Sequence, residues 1–132
     1  MAENPEGIRL LLVDDEVGYL EVLSKRLTRR GFMVTTASSG EEAIRAARAW
    51  DFDVAVVDLK MEDMDGIEVL KTLKRMVPDL EVIILTGHGS ERAAREGIAQ
   101  GAFDYLIKPV GLDPLIVRIC AAMISEEGLK SL

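Results

Sequence analysis

The chain has 132 residues, 48% hydrophobic and 30% charged, enough for one compact domain whose core needs no disulfide or metal staple. Its 16 Lys and Arg stand against 23 Asp and Glu, and the net charge of −7 disfavours direct binding to nucleic acid or an anionic membrane. The single Cys120 excludes an internal disulfide, no uncharged run reaches the roughly 20 residues of a membrane helix, and the first residues lack the basic and apolar regions of a signal peptide, so a cytoplasmic domain is expected.

The first strand is expected over Ile8 to Val13, a nearly continuous apolar run that stops at Asp14-Asp15. A helical stripe follows at Val17, Leu20, Leu23 and Leu27, ended by Gly31 after Arg29-Arg30. Met33 to Ala37 is a second, shorter strand, and Ser39 then opens a helix striped by Ala43, Ile44 and Ala47, with Glu42 at capping-box spacing. Val54 to Val57 is a third strand stopping at Asp58. The helix after it carries Ile67, Leu70, Leu73 and Val77, starts at a second capping box, Asp65 with Glu68, and is closed by Pro78.

Glu81 to Leu85 is a fourth strand, stopping at Thr86. Ser90 to Gln100 is helical by elimination, but Ala93, Ala94 and Ile98 make a weak stripe. Gly97 interrupts it at a cost of about 1 kcal/mol relative to Ala, so this helix is expected to be the least firmly anchored. Tyr105 to Ile107 is the last strand, followed by Lys108. Asp113-Pro114 places an N-cap before a Pro at the first position of the final and most regular helix, striped by Leu115, Ile116, Ile119, Cys120 and Met123. Short, β-branched runs of this kind suit strands buried on both faces. Their alternation with helices implies right-handed crossovers and a single α/β domain with a parallel sheet covered on both sides. A core over 8–124 is expected, with a short tail over 125–132 that leaves no room for a DNA-binding or catalytic domain.

In open parallel sheets, function gathers in the loops at the carboxyl ends of the strands. Reading only those positions gives Asp14 and Asp15, then Asp58, Thr86 and Lys108. Each is unremarkable alone: an Asp-Asp pair at a strand end usually makes a solvated turn or helix cap. Together they place three carboxylates, a hydroxyl and an ammonium on one edge of the sheet. Clustered carboxylates repel unless a cation sits among them, and an all-oxygen set suits Mg²⁺ rather than zinc or copper. With Mg²⁺, Lys108 and Thr86 covering the oxygens of a phosphoryl group, Asp58 is left as a nucleophile.

Five segments in order resemble the receiver domain of two-component response regulators: Leu11 to Glu16, Val56 to Met61, Met64 to Glu68, Leu85 to Gly89 and Asp104 to Pro109. The resemblance spans about Ile8 to Ile124. It implies a doubly wound, flavodoxin-like sheet of five parallel strands in the order 2-1-3-4-5, with five helices on both faces. It also implies that Asp58 is the phosphoacceptor for a sensor histidine kinase or phosphotransfer protein. Mg²⁺ would be held by Asp14, Asp15, Asp58 and the backbone carbonyl of Lys60. No conventional enzyme activity is implied beyond self-catalysed phosphotransfer and autodephosphorylation.

By the same resemblance Thr86 and Tyr105 form a switch pair, and Lys60 and His88 are candidates for tuning the phosphate lifetime. The face of the 90–100 helix, the fifth strand and the last helix becomes an output or self-association surface. Two departures stand out: Glu62 where receivers commonly carry Pro, and Gly87 where Ala is common. A receiver-like interaction module working without phosphorylation is the alternative, although it has no need of the complete set of Asp14, Asp15, Asp58, Thr86 and Lys108. A flavin or nucleotide binder fits poorly, because Asp-Asp-Glu stands where a Gly-rich phosphate cradle would follow the first strand.

Overall fold

A computed structural model describes residues 6–87 and 90–131, with side chains described up to Ile124. His88 lies outside the described residues. The elements alternate along the chain as β1 (Arg9–Val13), α1 (Val17–Arg29), β2 (Met33–Ala37), α2 (Gly40–Ala49) and β3 (Val54–Asp58). They continue with α3 (Gly66–Met76), β4 (Glu81–Thr86), α4 (Glu91–Ala99), β5 (Asp104–Ile107) and α5 (Leu112–Ser131). The sheet is parallel throughout, in the order β2-β1-β3-β4-β5. That is the doubly wound order expected from the sequence.

The period-2 geometry of a strand explains why the central runs are apolar at every position. In β1, Leu10 and Leu12 point into a core shared with Leu20, Leu23 and Leu27 of α1 and Leu115 and Ile119 of α5. Leu11 and Val13 point the other way, into a core with Ala43 of α2, Val69, Leu70 and Leu73 of α3 and Ala94 of α4. β3 and β4 divide in the same manner: Val54, Val56, Ile83 and Leu85 face one side, Ala55, Val57, Val82 and Ile84 the other. Two cores thus clamp the sheet and fix where its carboxyl edge ends.

Local starts and stops differ in detail from the sequence reading. Ser39 caps α2 by accepting from the Glu42 N–H at 3.1 Å, but the Glu42 carboxylate returns to the N–H and hydroxyl of Ser38, each at 3.0 Å. Asp65 caps α3 through the Ile67 N–H at 2.9 Å, and Glu68 lies 3.6 Å from Lys71 instead of closing the box. The last helix starts at Leu112, so Asp113 and Pro114 lie inside its first turn, where a missing N–H is harmless. Asp113 is then available to bind Arg30 at 2.6 Å. Residues 125–131 continue this helix.

Helix α4 buries only Ala94 and Gly97, matching its weak stripe. Gly97, however, is a point of close approach: a Cβ there would collide with Ile84 Cδ1 and lie 3.3 Å from Ile67 Cδ1. Gly66 has the same role on the backbone. A Cβ at Gly66 would sit 2.5 Å from Leu59 Cα and 2.6 Å from the Asp58 carbonyl oxygen, because the β3–α3 loop folds back until the Gly66 N–H meets the Leu59 carbonyl at 3.0 Å. Backbone cannot yield as a side-chain tip can. Gly66→Ala is therefore expected to lower stability by about 1–3 kcal/mol, read as a lower urea midpoint at unchanged slope.

Candidate functional site at the carboxyl edge of the sheet

The buried polar or charged side chains among the described residues are Asp14, Asp58 and Thr86, at 1%, 5% and 1% exposure. All three stand at the carboxyl edge, after β1, at the end of β3 and at the end of β4. Burying a carboxylate is costly unless it is paired and hydrogen-bonded, so their partners define the site.

The chief partner is Lys108, which follows β5 and is tied back by its own N–H to the Thr86 carbonyl at 2.7 Å. Its ammonium Nζ lies 2.7 Å from Asp14 Oδ2, 3.5 Å from Asp58 Oδ1 and 3.8 Å from Glu16 Oε1. The Lys108–Pro109 peptide is cis. Asp14 also accepts the Glu16 N–H on Oδ1 at 2.9 Å. Burial works against the Lys108 charge, but the hydrogen bond to Asp14 and the charge of Asp58 outweigh it and raise the lysine's pKa. Burial, aided by the neighbouring Asp14 charge, pushes the Asp58 carboxyl up to about 6, despite Lys108 and the Lys60 N–H acting the other way.

Asp15 is half-buried beside them, and its Oδ2 accepts the backbone N–H of Glu62 at 3.0 Å. A proline at position 62 could not make this bond. Carboxylate oxygens of Asp14, Asp15 and Asp58 all fall within 4.8 Å of one another. An all-oxygen set at this spacing fits a hard divalent cation that keeps several waters, and Mg²⁺ suits it. The loop carrying these groups is anchored from outside: Asp63 accepts the Gly40 and Glu41 N–H groups of the α2 start at 3.0 and 3.1 Å. Those bonds hold the Asp63 carboxyl below its ordinary range.

Thr86 is placed where the sequence predicts, one position beyond Leu85, which pairs with Asp58 across the β3–β4 ladder. Among the described residues its hydroxyl makes a single long contact, 3.4 Å to the Gly87 carbonyl. Tyr105 lies on β5 opposite Ile84, half-buried against the core under α3 and α4. Lys60 is exposed and borders a groove of about 560 Å³ with Asp15, Glu62, Ser90 and Glu96.

Sequence reasoning missed Tyr19, whose ring centroid is 4.8 Å from the Lys108 ammonium. The signal available was its spacing, one helical turn after Asp15, on an otherwise amphipathic helix. It also missed Asp63, for which no local pattern exists, since its partners lie on another helix.

The sequence model described as "Response regulator receiver domain" matches residues 10–120. The chain belongs to the family of response-regulator receiver domains. It is 42% identical over 114 residues to the transcriptional regulatory protein GlrR of Escherichia coli K12, covering 86% of this chain and 26% of that protein. With the transcriptional regulatory protein ZraR of the same strain it shares 38% over 126 residues, 96% of this chain and 29% of that one. The chain thus spans about a quarter of the length of these relatives. Among solved structures, a response-regulator receiver-domain protein from Clostridium thermocellum superposes with a TM-score of 0.87 at 35% identity, covering 92% of this chain and 98% of that one. Among the described residues, no helix is long and apolar enough to cross a membrane.

Asp58 titrates near 6 in the folded protein against an ordinary value of 3.8, so the folded state holds the extra proton between those values. Metal-free stability should accordingly rise as pH falls from about 7.5 to about 5, and the gain is absent above the folded pKa. Asp58→Asn removes this ionisation and is expected to raise metal-free stability near neutral pH by on the order of 1 kcal/mol while flattening the pH response. Chemical denaturation in EDTA across that range checks both; a variant less stable than wild type would contradict the burial argument.

Proposed function

We propose that this chain is the phosphoacceptor module of a two-component system, acting in the cytoplasm and taking a phosphoryl group from the phosphohistidine of a sensor kinase or phosphotransfer protein onto Asp58. The observation that carries this reading is the burial of Asp14 and Asp58 against the Lys108 ammonium, with Thr86 the one other buried polar side chain among the described residues. A fold under no functional demand would not place carboxylates there.

Asp14, Asp15, Asp58 and the backbone carbonyl of Lys60 would hold Mg²⁺, which supplies charge neutralisation for phosphoryl oxygens when bound. The remaining work falls to the protein. Asp58 reacts as the carboxylate: one oxygen attacks phosphorus while the P–N bond of the donor breaks and its electron pair returns to the imidazole. The product is a mixed carboxylic–phosphoric anhydride, open to hydrolysis. Lys108 turns an N–H from Asp14 toward a phosphoryl oxygen, and charge-assisted bonds of this kind are the strong ones. Thr86, whose hydroxyl makes a long contact to the Gly87 carbonyl, turns that hydroxyl to another oxygen.

Movement of Thr86 then frees space for Tyr105, which faces the same core as Ala94 of α4, and this couples the site to the face of α4, β5 and α5. Exposed apolar side chains occur on two of these elements: Ile98 on α4, and Val117 and Ile124 on α5. They suit a partner or a second copy that docks in the phosphorylated form. Lys60 and His88, two positions after Asp58 and Thr86, are the side chains proposed to set how long the phosphate lasts.

Incubation with acetyl phosphate, read by intact mass, tests the reading. Wild type with Mg²⁺ is expected to gain one phosphoryl group, and EDTA or Asp58→Asn is expected to abolish the gain. Lys108→Ala should slow it by at least about tenfold, since a charged hydrogen bond to the reacting group is lost. A protein that neither gains the group nor binds Mg²⁺ by calorimetry would be an interaction module instead.

A further inference from the structure

Resting on that phosphoacceptor reading, we infer that Tyr19 is a positioning residue for Lys108, holding the ammonium over its ring face while the ammonium changes partners. Three observations meet here. The Lys108 Nζ lies 4.8 Å from the Tyr19 ring centroid, inside the range of a cation–π attraction. Tyr19 comes from α1 and packs against the core under α1 and α5, so the ring is fixed by packing on the side away from the lysine. Among the described residues the buried Tyr19 hydroxyl has no hydrogen-bond partner, so no such bond ties the tyrosine to the lysine. The ring is the working part.

The need for such a contact follows from what surrounds the ammonium. Its carboxylate neighbours, Asp14 at 2.7 Å, Asp58 at 3.5 Å and Glu16 at 3.8 Å, compete for it. Moving from Asp14 to a phosphoryl oxygen on Asp58 requires breaking the shortest of these bonds in a half-buried place. A hydrogen-bonding side chain at position 19 would add a fourth directional competitor. An aliphatic one would leave that side of the ammonium desolvated and unattracted. An aromatic face attracts the charge without fixing its direction, so the ammonium can pivot while staying in reach.

The test compares Tyr19→Phe and Tyr19→Leu with wild type by two readouts. In the unphosphorylated protein, the Lys108 side-chain protons are expected to show an upfield ring-current shift in NMR, kept in Tyr19→Phe and lost in Tyr19→Leu. In the acetyl phosphate reaction, Tyr19→Leu should phosphorylate about fivefold more slowly at saturating Mg²⁺, and Tyr19→Phe at close to the wild-type rate. A tyrosine that only filled the core would leave the Lys108 side-chain protons unshifted in wild type and in Tyr19→Phe. Tyr19→Leu reacting as fast as wild type, or a Lys108 shift unchanged in that variant, overturns the inference alone. Wild type that fails to phosphorylate overturns the phosphoacceptor reading and the role of Tyr19 with it.

Discussion

The arrangement rests on one electrostatic conflict: Asp14 and Asp58, nearly inaccessible to water, share a single ammonium. Lys108 is 2.7 Å from Asp14 and 3.5 Å from Asp58, so its closer pairing is with Asp14. Burial pushes the Asp58 carboxyl up, with Asp14 adding to the push, and Lys108 offsets this only in part. A site left deficient in positive charge stores a standing attraction for cations and for groups that bring cations with them. The surrounding fold reads as the apparatus that keeps this deficiency in place. Two apolar cores hold the ends of β1, β3 and β4 level. Gly66 lets the β3–α3 loop fold close to Asp58, and Asp63 ties that loop to α2.

The strands were legible in the sequence because a parallel sheet covered on both faces leaves no polar alternation to confuse the reading. After Arg9 and Glu81 at their starts, β1, β3 and β4 are apolar, and each run is broken at its carboxyl end by a polar residue, Asp14, Asp58 or Thr86. That break is itself the site, so locating the strand ends located Asp14, Asp58 and Thr86 together. Lys108 was found by the same rule after the weakest strand, β5, all of whose residues are half-buried. Order along the chain thus became proximity in space, because every strand runs in the same direction.

What escaped the sequence has a common physical origin: contacts made between elements by groups that also have ordinary local roles. Tyr19 reads as one more residue of an amphipathic helix, and only the fold brings Lys108 over its ring. Asp63 reads as a loop carboxylate, and its two N–H donors lie 22 and 23 residues away. The N–H of Glu62 carries no side-chain signal at all, yet it holds Asp15. Glycines mislead most. Gly97 looks like a flaw in α4, whereas the missing side chain is what lets the helix reach Ile84 and Ile67.

That last contact bears on how a signal could leave the site. Helix α4 contributes only Ala94 and Gly97 to the core, so little apolar area resists its displacement, and low local stability is where conformational change is cheapest. Gly97 approaches Ile84 on β4, two residues before Thr86, and Ile84 is paired with Tyr105 on β5. Thr86, Tyr105 and α4 therefore meet on a single patch of β4 and β5 rather than along an extended route. A shift of β4 carries the Ile84 side chain with it and so changes the fit against Gly97. Close packing at one point and sparse packing elsewhere suit the proposed switch, in which the point would sense the strand and the sparse remainder would let the helix move.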